Sequence, residues 1–154
     1  MSASIVYGVD GSADSQAALE LAGRLSARLG LKLVVAHIAE PAYIPYAAAA
    51  PFGGMAGPDA VMEEMESQEE AAERLLEQVV HAAGLVDAER RALLGVPAER
   101  LADLAEEEDA ELIVVGSRGR GAFKSALLGS VSNSLVGVAR CPVLIVPPGA
   151  TDQP

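Results

Sequence analysis

The feature that most restricts this chain is an alternation. Short runs rich in β-branched residues take turns with longer stretches whose apolar residues recur at three- and four-residue spacing. Residues 5–9, IVYGV, run into Asp10, Gly11 and Ser12, which reads as a buried strand and a turn. Residues 12–30 follow, with Ala18, Leu21, Ala22, Leu25 and Leu29 on one side. That spacing predicts an amphipathic helix, capped by Ser12 and closed by Gly30. Residues 31–40 are a second strand. Residues 60–83 carry Val61, Met65, Ala72, Leu75, Leu76 and Val79 at helical spacing, with Gly84 to end them. Their acidic first half suits the positive end of a helix dipole. Residues 88–95 read as a short strand, and residues 96–110 as a helix opening on Pro97. Residues 111–116 form a fourth strand. Residues 130–140 are helical by Val131, Leu135, Val138 and Ala139, and residues 141–148 give a fifth strand.

Five strands alternating with four helices imply an α/β domain, a parallel sheet with helices on both faces. One domain covers residues 1–148, because no repeat and no second core are evident. Residues 41–59 hold four Pro and three Gly without a clean period and read as an irregular insertion. Residues 149–154 are a polar tail.

Composition excludes several partners. The net charge of −11 repels nucleic acid and anionic lipid at long range. Three Tyr, two Phe and no Trp leave no stacking platform for single-stranded nucleic acid. The lone Cys141 allows no internal disulfide and suits a reducing compartment. The first residues carry no basic region before an apolar run, and no apolar run is long enough to span a bilayer. A cytoplasmic location is the expectation.

Against that acidic background, VVGSRGRGAFKSALLGSVS at residues 114–132 is anomalous. It gathers Gly116, Gly119, Gly121 and Gly129 with Arg118, Arg120 and Lys124, between a strand and a helix. Glycines let a backbone approach a bulky ligand, and successive amides form an anion nest. Gly129 and Ser130 stand where the last helix begins, and the free amides of a helix start favour phosphate. The block therefore reads as a polyphosphate pocket. It is not a Walker A loop, because Phe123 occupies the place of the second glycine. It is not a dinucleotide loop either, because the turn after the first strand reads GVDGSADS. The spacing present is G-x2-G-x9-G-S, at Gly116, Gly119, Gly129 and Ser130.

With that motif, the opening IVYGVDGS, the LVVAHI strand, the DAELIVVGSRGRG block and the closing GSVSNSLVGVARCPVLIVPP, the chain resembles the universal stress protein family in its ATP-binding branch. The resemblance implies a Rossmann-like open sheet of strand order 3-2-1-4-5, with the first and fourth strands adjacent. It implies Asp10, after Gly8 and Val9, as the carboxylate on the ribose or metal side, and the Ile38 backbone as the reader of adenine. Gly116, Ser117, Gly119, Gly129, Ser130, Val131 and Ser132 become the ribose and phosphate cradle, with Arg118, Arg120 and Gly121 inside the loop. ATP is the implied ligand, with Mg²⁺ arriving on the nucleotide. A homodimer through residues 143–146 is also implied, and it would cover an otherwise bare apolar edge.

Asp10 is the one evident base near the motif, and it has other duties, so no catalytic residue is assigned. Three functions fit: a nucleotide-binding regulatory module that acts on an unidentified protein partner, a slow or autophosphorylating ATPase, and a ligand-free dimeric interaction module. His37, His81 and Cys141 read as structural residues. The acidic run at residues 106–109 reads as a solvated helix end.

Overall fold

A computed structural model of the chain describes residues 3–9, 13–41, 58–117 and 128–150. Its centre is β1, Ser4–Gly8, whose Ile5, Val6 and Tyr7 are completely buried. On one side β1 pairs in parallel with β2, Lys32–Ala39, and on the other with β4, Ala110–Gly116. β3, Glu89–Leu94, extends the sheet beyond β2, and β5, Val143–Val146, extends it beyond β4. All pairs are parallel and the order is β3-β2-β1-β4-β5, the order that the family resemblance implies.

Four helices connect the strands: α1, Ala13–Leu29; α2, Pro58–Ala82; α3, Pro97–Glu107; and α4, Ser130–Val138. Alternate side chains of each strand point to opposite faces, so two cores form. Ile5, Tyr7 and Val35 meet Leu19 of α1 and Leu76 of α2 on one face. Val6, Val34 and Ile113 meet Leu101 of α3 and Leu135 of α4 on the other. Covering both faces leaves the inner strands β1, β2 and β4 mostly apolar, which is why they read as short continuous runs, whereas the edge strand β3 opens on Glu89, Arg90 and Arg91.

The helix faces differ in detail from the periodic reading. α1 buries Ser15, Ala18, Leu19 and Ala22, so its stripe is rotated toward Leu19, and Leu29 is 59% exposed. α2 buries Ala72, Leu76 and Val80, while Val61 and Met65 are exposed. Its 25 residues span about 37 Å. The six residues of β3 beneath it span only about 20 Å. The first half of α2 therefore has no strand to lie on. In α4, Leu135 is buried but Val138 is exposed, because this short helix touches the sheet only at its edge. The helix also starts two residues earlier in α2 than expected, so Pro58 and Asp59 belong to it; the rest of the 41–59 insertion, beyond Pro41, lies outside the described residues.

Gly30 and Gly84 close α1 and α2 with φ of 68° and 69°. The Leu85 amide reaches the Val80 carbonyl and the Gly84 amide reaches the His81 carbonyl, the paired bonds of a Schellman ending. Gly8 has a different task. A Cβ there would lie 2.7 Å from Leu101 Cδ1 and 3.4 Å from Val115 Cγ1, so the missing side chain lets α3 settle on β1.

In the acidic run at residues 106–109, Glu106, Glu107 and Asp109 are exposed, as expected of a solvated helix end, but Glu108 is not. The Glu108 side chain is only 9% exposed and binds Lys32 of β2 at 2.5 Å together with Arg91 of β3. Glu89 accepts from the same two cations, at 3.0 and 2.8 Å. The Ser4 hydroxyl donates to the Glu108 carbonyl at 2.8 Å. The network ties together the amino ends of β1, β2 and β3, and Asp109 leaves it at φ 51° to enter β4. Its partners lie 76 and 17 residues from Glu108, so no local pattern announces them.

Two outcomes follow from this packing. Gly8→Val overfills the α3 contact and lowers unfolding free energy by about 1–3 kcal/mol in urea titration, with Gly8→Ala losing less. The second concerns pH. The Lys32 ammonium, then Arg91, holds the Glu89 carboxyl below its ordinary pKa of 4.5, against the opposing effect of burial. The folded protein thus binds that proton less readily than the unfolded chain, so the contribution is present above the ordinary pKa and is lost as pH falls through the lower folded value. Glu89→Gln costs less than about 1 kcal/mol at pH 7, because the pair is partly solvated, and the gap to wild type closes as pH falls below the ordinary value and through the lower folded one.

Candidate functional site

A ligand site in an open parallel sheet lies outside the carboxyl ends of its strands, where successive connections leave toward opposite faces. Here that point is between β1 and β4. Gly8 stands opposite Val115, so Val9 and Gly116 sit side by side at the mouth of the crevice. The Gly8 position is thus shared between the site and the α3 contact described above.

Ser117 organises the β4 side. Its N–H donates to the Val146 carbonyl of β5 at 3.0 Å. Its carbonyl accepts the Gly129 N–H at 2.6 Å and the Ser132 hydroxyl at 3.3 Å. The Ser132 hydroxyl also lies 3.1 Å from the Gly129 carbonyl. Ser117 and Ser132 are both buried. These bonds clamp the start of α4 onto the end of β4, although ten residues between them lie outside the described part.

The clamp sets the amides of α4. Gly129 is the N-cap, with φ −70° and ψ 166°, and no side chain caps the helix. The first bond inside the helix runs from the Asn133 N–H to the Gly129 carbonyl, at 3.0 Å. The Ser130, Val131 and Ser132 N–H groups precede it, so they have no partner within the helix. They and the helix dipole form an anion-attracting end beside the β4 terminus. Ser130 is exposed and Val131 half-buried there.

The β2 side of the crevice is built by His37 and Ile38. The Val9 N–H donates to the Ala36 carbonyl at 2.8 Å, and the Val9 carbonyl receives His37 Nδ1 at 2.9 Å. Ile38 turns its side chain into the α3 core. Tyr7 lies two residues before Val9, in β1, and its buried hydroxyl contacts the Ser15 carbonyl and, at 2.6 Å, the Ser15 hydroxyl. It thereby fixes the first turn of α1.

The fold thus brings Gly8, Val9, Ile38, Gly116, Ser117, Gly129, Ser130, Val131 and Ser132 to one end of the sheet. Asp10, Arg118, Gly119, Arg120 and Gly121, with Lys124, lie outside the described residues. His37 and the Tyr7–Ser15 pair are contributors that periodicity does not reveal. The one available signal was a polar ring or hydroxyl inside each of two otherwise aliphatic strands. Cys141 packs half-buried beside the second core, and burial pushes its thiol pKa up. Among the described residues, no three His, Cys, Asp or Glu side chains are grouped to hold a metal ion, and no helix is long and apolar enough to cross a membrane.

The sequence profile of the universal stress protein family matches residues 1–147. A universal stress protein of Thermus aquaticus is 34% identical over 142 residues, covering 92% of this chain and 96% of the relative. One from Mycobacterium tuberculosis is 33% identical over 146 residues, and there the match covers 92% of this chain but 47% of a longer protein. Among solved structures, a universal stress protein in complex with cAMP is 29% identical with a TM-score of 0.64, covering 96% of this chain and 98% of that one. The chain belongs to the universal stress protein family.

Proposed function

We propose that this protein is an ATP-binding regulatory module of the stress response. The observation that carries the reading is the start of α4. Three amides without helical partners stand beside the carboxyl ends of β1 and β4, held there by the Ser117 clamp. The phosphates would lie on the Ser130, Val131 and Ser132 amides, the ribose between Val9 and Gly116, and the base along Ile38. Asp10 would serve the ribose or a Mg²⁺ that enters with the nucleotide, and Gly119 and Gly121 would complete the cradle with Arg118 and Arg120. The family relative solved with cAMP supports an adenine nucleotide as the ligand class. ATP then favours one conformer over another and so changes a partner interface.

The edge strand supports a homodimer through Val143–Val146. Val143, Leu144 and Ile145 are only partly buried, and α4, which contacts β5, exposes Val136 and Val138. A second copy would pair the free edge and cover these side chains.

One observation favours a specific form of the enzymatic alternative. Ser117 and Ser132 are buried, and the Ser132 hydroxyl is already bonded, whereas Ser130 is exposed at the helix start. If the protein phosphorylates itself, Ser130 is the acceptor, taking the γ-phosphoryl group as ADP leaves. Incubation with ATP followed by mass spectrometry then adds one phosphate to wild type and none to Ser130→Ala.

The binding test uses Gly129→Asp. Aspartate is among the best N-cap residues, so the helix keeps or gains stability. Its carboxylate occupies the amides and repels the anion. The expected result is an unchanged or raised melting temperature without nucleotide and an ATP affinity reduced by about tenfold or more, a loss of about 1.4 kcal/mol. An ATP-induced rise in melting temperature equal to that of wild type contradicts this placement of the phosphates.

A further inference from the structure

The β2 wall of the crevice contains a substitution in the hydrogen-bond ladder. β1 and β2 pair in register from Ser4 opposite Lys32 to Gly8 opposite Ala36. The last ladder bond runs from the Val9 N–H to the Ala36 carbonyl. In a parallel pair, the next bond would run from the Ile38 N–H to the Val9 carbonyl. That bond is not made, and pairing stops at Gly8. The Val9 carbonyl receives His37 Nδ1 at 2.9 Å instead. A carbonyl has no proton to give, so Nδ1 carries the hydrogen.

The exchange decides what Ile38 presents. In an extended strand, successive residues aim their N–H and C=O groups at alternate neighbouring strands. The Ala36 carbonyl faces β1, whereas the Ala39 carbonyl accepts the Gly95 N–H from the β3 side, at 3.1 Å. The Ile38 N–H and C=O therefore face the β1 side, just past the place where β1 stops pairing. An adjacent donor and acceptor on one backbone edge match the acceptor and donor on the edge of an aminopurine ring.

We infer that His37 is a positioning residue for the base site. Its ring takes the Val9 carbonyl and so keeps the Ile38 N–H and C=O from being drawn into the ladder. The inference rests on the nucleotide-binding reading, but the ladder exchange is testable without nucleotide. It assigns the imidazole a duty that no other side chain along β2 performs: Val34, Ala36 and Ile38 face the α3 core, and Leu33 and Val35 the α1 core.

The test compares wild type, His37→Phe and His37→Asn as full chains, by amide hydrogen exchange without nucleotide and by calorimetric titration with ATP. Phenylalanine keeps the ring but has no donor; asparagine offers an N–H near the Nδ1 position. In wild type, the Ile38 amide should exchange at least about tenfold faster than the laddered Ala36 amide. In His37→Phe, the released Val9 carbonyl captures the Ile38 N–H, so that amide slows while ATP affinity falls about fivefold. His37→Asn should resemble wild type in both readouts. The inference is overturned if Ile38 is as protected as Ala36 in wild type. It is also overturned if His37→Phe leaves both Ile38 exchange and affinity unchanged, or if His37→Asn fails together with it. A wild-type protein that does not bind ATP defeats the nucleotide reading, and the exchange comparison still decides the role of His37. Should His37→Phe not fold, the Ile38 and Ala36 rates in wild type and His37→Asn decide it.

Discussion

A parallel sheet has no face to offer a ligand. Its strands are apolar on both sides, and helices must cover both. In this chain α1 and α2 cover one face while α3 and α4 cover the other. What stays open is the ends of the strands, and the two ends are treated in opposite ways. At the amino end, Lys32, Glu89, Arg91 and Glu108 tie β2 and β3 to the entry of β4, and Ser4 adds β1. At the carboxyl end, β1 stops after Gly8, the chain leaves toward α1, and β4 leaves toward α4. The crevice is the consequence of covering everything else.

Among the described residues, its walls are backbone more than side chain. Ser117 contributes its amide to β5 and its carbonyl to α4, and Val9 contributes both of its peptide groups to β2. On the proposed reading, the affinity of the site would come from amides whose direction is fixed by the sheet and by the helix start, without reorganisation when ligand arrives. Amides so placed would let a chain with net charge −11 favour an anion locally.

Much of this was legible in the sequence, for identifiable reasons. Apolar runs of strand length alternating with helical periods fix the parallel α/β class. The helix endings at Gly30 and Gly84 are local chemistry and sit where the residues place them. The start of α4 at Gly129 and Ser130 also follows from the motif. What escaped depends on contacts distant in the chain. Glu108 looks like one acid among several until β2 and β3 bring Lys32 and Arg91 to it. Leu19 rather than Leu29 faces the core, because the angle of α1 on the sheet is set by packing and not by its own period. His37 reads as a polar residue in an apolar strand, and only the register of β1 on β2 reveals that its ring replaces a ladder amide.

The central claim is that a nucleotide occupies the crevice between the ends of β1 and β4 and the start of α4. Amide chemical-shift mapping of the full chain, titrated with ATP, tests it most directly. The account predicts that the largest changes among the described residues fall on Val9, Ile38 and Gly129 to Ser132, from three separate parts of the sequence. The same spectra contain the cleft between α2 and β3, lined by Glu69, Ala72 and Ala92 to Leu94 with a volume of about 210 Å³. Shifts centred on that cleft, with Gly129 to Ser132 unmoved, would contradict the account.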